Sequence, residues 1–397
     1  MKIVIHDCPG HPFQVQLSRS LAKKGYEVIH IYSCLEKTKG NLVKSKTDPL
    51  SFNIIGIQIS QQYKKYSFIK RRFQEIEYGK LLAAEIIKIK PDVVISSNNP
   101  LDSQMLLIKA CEANNIKFIF WLQDIYSIAI KKVLKQKFFF LGSIIGNYYI
   151  SKEIKMLKKS QAVIAITEDF EPILKKWGIK NDKIYIMPNW ATLDELPRIP
   201  KINEWSLNNS LSNKIVLLYS GTLGFKHNPS ILLELAKKYR NNHLIVVVII
   251  SEGPAINWLK RESNSLNLNN ILFFDFLPYE KLPYINGTAD ILISILEPSA
   301  GIYSVPSKVL TYLCAGRPIL LSVPKENLIS KIVTTSNSGF VANPSDIFDF
   351  LNKSSILIND RLLSTKMGNN ARNYAEKYFD INTITKHFEY IINNIGD

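Results

Sequence analysis

The chain has 397 residues, 46% hydrophobic and 21% charged, which excludes a disordered polymer and leaves room for two domains with full cores. Its net charge of +16 is uneven, with 30 Lys/Arg against 18 Asp/Glu in residues 1–197 and 20 against 16 in residues 198–397. The first half therefore suits an anionic partner: nucleic acid, acidic lipid headgroups or a phosphorylated substrate. No apolar run reaches the roughly 20 residues of a membrane span, and the opening KIVIH carries no signal-peptide regions. Cys8, Cys34, Cys111 and Cys314 lie far apart without metal spacing, as expected of buried free thiols in a reducing cytoplasm.

The first half alternates strand and helix patterns. Strands are expected at Ile3–His6, Glu27–Tyr32, Ile54–Ile59, Asp92–Ser96, Lys117–Leu122, Ala162–Ile166 and Lys183–Met187, with helices over Phe13–Lys24 and Phe68–Lys90. Such alternation implies right-handed crossovers and a parallel sheet. Residues 198–213, following Pro197 and containing Pro200 and the run NEWSLNNSLSN, read as a linker. The alternation then resumes, with strands at Lys214–Gly221, Leu244–Ile250, Ile271–Phe276, Ile291–Leu296, Pro318–Val323 and Gly339–Ala342. Helices are expected from Pro229, Ile256, Glu280, Val305 and Asn327, and onward from about Asp346. The fold class is α/β: two doubly wound domains, 1–197 and 214–375, with a last helix at 376–397 that packs back on the first domain. Ligands are expected just after the strands, in a cleft between the domains.

Candidate groups follow those strands. The loop Asp7–Pro12 places Gly10 and His11 where backbone meets a phosphate or sugar, though an ordinary βα loop has the same pattern. Asp124, after Phe118–Leu122, either orients an acceptor hydroxyl and takes its proton or caps the next helix. Glu168 and Asp169 stand at another junction, where one of them is expected to cap. Asn189 follows the last strand of this half. In LYSGTLGFKHNPS, the small residues Gly221, Thr222 and Gly224 leave backbone N–H groups accessible, and Lys226 supplies compact charge for a phosphate. The loop lacks the ending of a nucleoside-triphosphate loop. Ser251–Gly253 end a further strand, where they meet a base or ribose or make a simple turn. Finally, EPSAGIYSVPSKVLTYLCAGRP reads as a loop entering a helix: Ser304 caps, Pro306 takes the first position, and Gly316 and Pro318 stop it. Ser304, Val305, Pro306, Ser307 and Lys308 then form a cationic helix start suited to a diphosphate, or simply a well-capped helix. The six histidines form no ligand pair, so no metal site is expected.

Taken together, DCPGHPFQVQLSRSLAKKG, GTLGFKHNP and VPSKVLTYLCAGRP resemble family 4 glycosyltransferases of the GT-B fold, over essentially the whole chain. They look particularly like bacterial transferases of surface polysaccharide (O-antigen or capsule), including N-acetylfucosamine transferases. The resemblance implies two Rossmann-like domains and retaining transfer from a nucleoside-diphosphate sugar, with no cofactor or required metal. It places the diphosphate-binding cation at Lys226, the donor loop at 301–308 and the acceptor-side loop at Gly10 and His11. It also marks a departure. Family members commonly carry two glutamates where this chain has Tyr303 and Thr311, so the ribose and sugar contacts must come from elsewhere. A sugar-nucleotide epimerase or hydrolase of the same fold, or a non-catalytic partner of a transferase, are the alternatives.

The basic excess concentrates in YKKYSFIKRRF (63–73) and in 131–159, where eight lysines and one glutamate flank FFFLGSIIGNYYI. No recognised nucleic-acid module accompanies them. The expected arrangement is peripheral attachment to the inner face of the cytoplasmic membrane, with lysines toward anionic headgroups and the site presented to a polyprenyl-diphosphate-linked saccharide. A buried helix with a solvated lysine face has the same pattern.

Overall fold

The computed structural model describes residues 1–35, 42–64, 67–224, 227–297 and 305–396. The chain divides into two compact units, Met1–Asn189 joined by the segment from Ile381 on, and Trp190–Asp380.

Unit 1 runs β1 (Lys2–Asp7), α1 (Pro12–Lys23), β2 (Glu27–Ser33), β3 (Phe52–Ile57), α2 (Phe68–Ile89), β4 (Val93–Ser97), α3 (Leu101–Ala113), β5 (Lys117–Leu122), α4 (Tyr126–Lys159), β6 (Ala162–Ala165), α5 (Glu171–Lys176) and β7 (Ile184–Ile186). Its seven strands lie in the order β3-β2-β1-β4-β5-β6-β7, all parallel. Helices on both faces explain why β1, β4 and β5 read as near-continuous apolar runs.

Unit 2 runs α6 (Glu204–Asn208), β8 (Ile215–Ser220), α7 (Ser230–Lys238), β9 (Ile245–Ile250), α8 (Pro254–Ser265), β10 (Ile271–Phe274), α9 (Leu282–Thr288), β11 (Ile291–Ile295), α10 (Lys308–Ala315), β12 (Ile319–Ser322), α11 (Leu328–Thr335), β13 (Gly339–Ala342), α12 (Ile347–Asn359) and α13 (Arg361–Tyr378). Its six parallel strands have the order β10-β9-β8-β11-β12-β13. In both sheets the order reverses beside the first strand, between β1 and β4 and between β8 and β11. These are the switch points where helices leave to opposite faces and a crevice opens at the carboxyl ends.

Several expectations change. Residues 198–213 lie inside unit 2: Asn203 is buried and builds a full capping box on α6 with Ser206, so the polar composition that suggested a linker is that of a helix cap. The helix expected from Val305 begins at Lys308. Val309 and Leu310 donate to Pro306 O and Ser307 O at 3.1 Å each, so Pro306 opens a tight turn ahead of the helix. Ser307 gives no side-chain cap, and Ser304 lies outside the described residues. The cap expected of Glu168 or Asp169 is Thr167, whose hydroxyl accepts from the Asp169 N–H. Cys34 is exposed, whereas Cys8, Cys111 and Cys314 are buried.

Two helices leave the linear order, the last as expected and the other not. The last, α14 (Ile381–Asn394), belongs to unit 1, where Phe388 packs on Trp121 with ring centroids 4.9 Å apart and Thr385 bonds Ser20 at 2.7 Å. The helical run α4 doubles back on itself. Ser127 Oγ donates to Glu153 at 2.5 Å, although 26 residues of straight helix would separate them by about 39 Å. Gly142 lies against the Leu134 backbone and Gly146 against Lys131. Two glycines one turn apart, lacking Cβ atoms, let the arms touch.

Candidate functional site

In unit 1 the carboxyl ends of β1 and β4 carry a dense polar cluster. Asp7 ends β1 fully buried, and its carboxylate accepts the backbone N–H of His11, the His11 Nδ1–H at 2.9 Å and the Asn98 amide at 2.9 Å. Burial pushes the Asp7 carboxyl up, but the His11 charge and these bonds outweigh it and hold the pKa at about 2. With Nδ1 committed to Asp7, Nε2 of the half-buried His11 ring is the nitrogen left to meet a ligand. Gly10 makes the intervening turn at φ +68°, donating to Asp7 O at 3.0 Å, a left-handed conformation that glycine adopts without strain. Behind it, His6 bonds Ser96 and Tyr78 at 2.8 and 2.7 Å; burial lowers its pKa to about 3, so it is a neutral core residue.

Asp124 follows β5 and is half-buried, while the cap position of α4 falls to Ile125, which offers no side-chain cap. Burial raises the Tyr126 hydroxyl pKa well above normal, and both Asp124 and Asp7 add to that rise. Asp124 and Asp7 thus both lie within electrostatic reach of Tyr126. Glu168 stands exposed on the turn after β6, and Asn189 exchanges amide hydrogen bonds with Gln123.

In unit 2 the β8 loop and the start of α10 come together. Gly221, at φ +135°, donates to Ile250 O at 2.9 Å and its carbonyl accepts from Ser251 at 2.7 Å. Leu223 donates to Glu252 O, and a Cβ on Gly253 (φ +121°) would lie 2.8 Å from Leu223 O. Gly253 is therefore required for the β8 and β9 loops to pack. Thr222 is exposed, and Gly224 N–H donates to His227 Nδ1 at 3.0 Å, which closes the loop. Lys308 lies over the Tyr219 ring, 3.7 Å from its centroid, and its Cε and Nζ would be 2.7 and 2.8 Å from a Cβ on Gly221. One turn later Tyr312 accepts from Ser220 N–H at 2.9 Å and donates to Ser220 O at 3.1 Å, locking α10 to the end of β8. At the other end of α10, Arg372 donates to Cys314 O at 2.8 Å, and Gly316 (φ +66°) makes the left-handed stop. Thr311 bonds back to Lys308 O at 2.8 Å within its own helix.

Gly221, Thr222, Gly224, Gly253 and Lys308 therefore share one end of the unit 2 sheet, with Val305, Pro306 and Ser307 leading into it. Lys226 and Ser304 lie outside the described residues, as does Tyr303. Gly10, His11 and Asp124 share the corresponding end of unit 1, and Glu168 is on the loop after its neighbouring strand. The sequence marked the Asp7–Pro12 loop and Ser251–Gly253 but not the anchoring role of Asp7, nor Asn98 and Tyr126 in unit 1 or Tyr219 and Tyr312 in unit 2. Only the Asp7–His11 spacing was a usable signal. Among the described residues, no three His, Cys, Asp or Glu side chains converge as metal ligands.

Two family models match the chain, Glycosyltransferase Family 4 over residues 13–195 and Glycosyl transferases group 1 over residues 203–374. A protein of Escherichia coli named as a colanic acid biosynthesis glycosyl transferase, WcaI, is 24% identical over 53% of this chain and 52% of its own. A Pseudomonas aeruginosa protein named as a glycosyltransferase, WbjE, is 23% identical over 64% of this chain and 63% of its own. The chain thus spans about half to three-fifths of the length of these relatives. Among solved structures, Anabaena HepE in complex with UDP and glucose superposes with a TM-score of 0.72 at 13% identity, covering 99% of both chains.

Proposed function

The chain belongs to the family 4 glycosyltransferases of the GT-B fold, and on that premise we propose that it transfers a sugar from a nucleoside-diphosphate donor to a polyprenyl-diphosphate-linked saccharide. The observation that carries this reading is the convergence of the Gly221 loop, Tyr219 and Lys308 at the switch point of the unit 2 sheet. Backbone N–H groups there and the Lys308 ammonium hold the donor diphosphate, with Lys226 as a second cation, and Ser307 and Thr222 contribute hydroxyls. The class of transfer is retaining and the donor sugar an N-acetylated deoxyhexosamine, in line with the surface-polysaccharide resemblance. The acceptor oxygen bonds to C1 as the C1–O bond to the diphosphate breaks, and the hydroxyl proton leaves with the diphosphate. Charge develops on the departing phosphate, so cation and N–H stabilisation at that point is the main catalytic contribution, and no metal is required.

In unit 1, His11 Nε2 accepts a hydrogen bond from an acceptor hydroxyl next to the reacting one, with its ring held by Asp7. Asp124 orients a further acceptor hydroxyl from the β5 loop, Gly10 keeps the backbone close, and Glu168 meets the distal saccharide. The site works at the inner face of the cytoplasmic membrane, where a lipid-linked acceptor is presented. The test is mass spectrometry of products from a panel of nucleotide sugars with a lipid-diphosphate acceptor, with and without chelator. A glycosylated acceptor formed equally in both supports the reading. Donor consumed without acceptor product, across the panel, replaces it with hydrolysis or epimerisation.

A further inference from the structure

The two basic segments singled out in the sequence lie side by side on unit 1. Asp102 of α3 accepts from Arg72 Nε at 2.9 Å, from the Tyr149 hydroxyl at 3.1 Å and from Lys152. It thereby ties the start of α2 to the returning arm of α4. The turn of the α4 hairpin falls near residue 138, and it is apolar and uncovered: Phe138 is 58% exposed, Phe140 76% and Leu141 65%. On α2, Ile69 and Phe73 are also exposed, one turn apart on the same face. Cations border both patches, Lys131 and Lys135 on the outgoing arm and Lys70 on α2. Residues 125–152 contain no Asp or Glu, Glu153 is buried against Ser127, and Asp102 is already paired.

We propose that the α4 hairpin tip, with the start of α2, is a wedge that docks on an anionic lipid bilayer: Phe138, Phe140 and Leu141 enter the headgroup–acyl boundary while Lys70, Lys131 and Lys135 meet lipid phosphates. A lysine-flanked apolar tip without compensating acids is complementary to negative headgroups over an apolar layer. Among the described residues, no helix is long and apolar enough to cross a membrane, so the docking is peripheral. The outgoing arm also sets a reach. Twelve residues separate Tyr126 from Phe138, about 18 Å of helix, so a tip inserted by about 5–10 Å leaves Tyr126, two residues from Asp124, no more than about 13 Å from the layer it enters. The inference rests on the lipid-linked acceptor reading for its purpose, but its test does not need that acceptor.

The full chain is floated with vesicles of phosphatidylglycerol and phosphatidylethanolamine, or of phosphatidylcholine alone, and UDP binding is measured on the same samples. Expected is co-flotation with the anionic vesicles only, weakened about tenfold or more by Phe138→Ser with Phe140→Ser, and made less salt-sensitive by Lys70→Glu with Lys135→Glu. A Phe140→Trp chain should be quenched by brominated lipid, a readout of the tip itself. Equal flotation of wild type and the Phe138/Phe140 variant, no quenching, or displacement from vesicles by single-stranded RNA at equal charge would each overturn the wedge. No flotation with UDP binding intact removes the wedge and leaves the transfer reading. Flotation with no nucleotide binding does the reverse.

Discussion

The loops after β1 and β8 occupy the same topological place in two sheets of the same design, yet they are finished with opposite electrostatics. After β1, a buried carboxylate gathers His11 and Asn98 around Asp7. After β8, the described loop contains no acid: backbone hydrogen bonds and a lysine resting on Tyr219 shape it. A carboxylate fixing an imidazole suits a hydroxyl, whereas N–H groups with a cation suit a diphosphate. The fold supplies the crevice in both cases, and the side chains at the strand ends decide which half of a transfer reaction each could serve.

The largest expected effect is that of Lys226→Ala, which should lower turnover by about 10²- to 10³-fold if Lys226 stabilises the leaving diphosphate. Steady-state kinetics with an unchanged circular-dichroism melt would check it, and near wild-type turnover would remove Lys226 from the site. On the other side, His11→Ala should raise the acceptor KM about tenfold through one lost hydrogen bond, with UDP binding unaltered. Asp7→Asn should reproduce part of that loss with His11 still present, and a change in UDP affinity instead would contradict the division of labour.

Stability offers two smaller tests. Burial raises the Glu153 pKa to about 7, with Asp124 adding to the rise and the Ser127 bonds opposing it. Between the ordinary carboxyl value near 4.5 and 7, the folded chain holds a proton that the unfolded chain has released, so this group costs stability as pH rises through that window. Glu153→Gln should therefore stabilise relative to wild type by on the order of 2 kcal/mol at pH 8 and by little at pH 4.5, read from urea melts at both values. Tyr312→Phe removes both bonds to Ser220 and should destabilise unit 2 by about 1–2 kcal/mol while weakening UDP binding. A loss of stability alone would confine Tyr312 to packing.

Much of the fold was legible in the sequence. Runs such as IVVVII in β9 and KFIFWL in β5 are apolar on both faces, which only a covered parallel strand requires, and their spacing left room for one helix each. The α4 hairpin was not legible, because helical period continues through both arms and no proline marks the turn; only the Gly142–Gly146 spacing hinted at close approach. The site was legible where it is built from one loop, as at Gly221–Gly224, and hidden where the sheet joins distant segments. Asn98 reaches Asp7, and Tyr312 reaches Ser220, across 91 and 92 residues. Thr167 was overlooked as a cap because the two acids after it drew the assignment.

Whether the β8–α10 junction holds the donor diphosphate is decided by calorimetric titration of UDP into the wild-type chain and into Lys308→Ala. Saturable binding to the wild type is expected, weakened about tenfold or more in the variant through loss of a charge-assisted contact. Equal affinity in the two chains would contradict it.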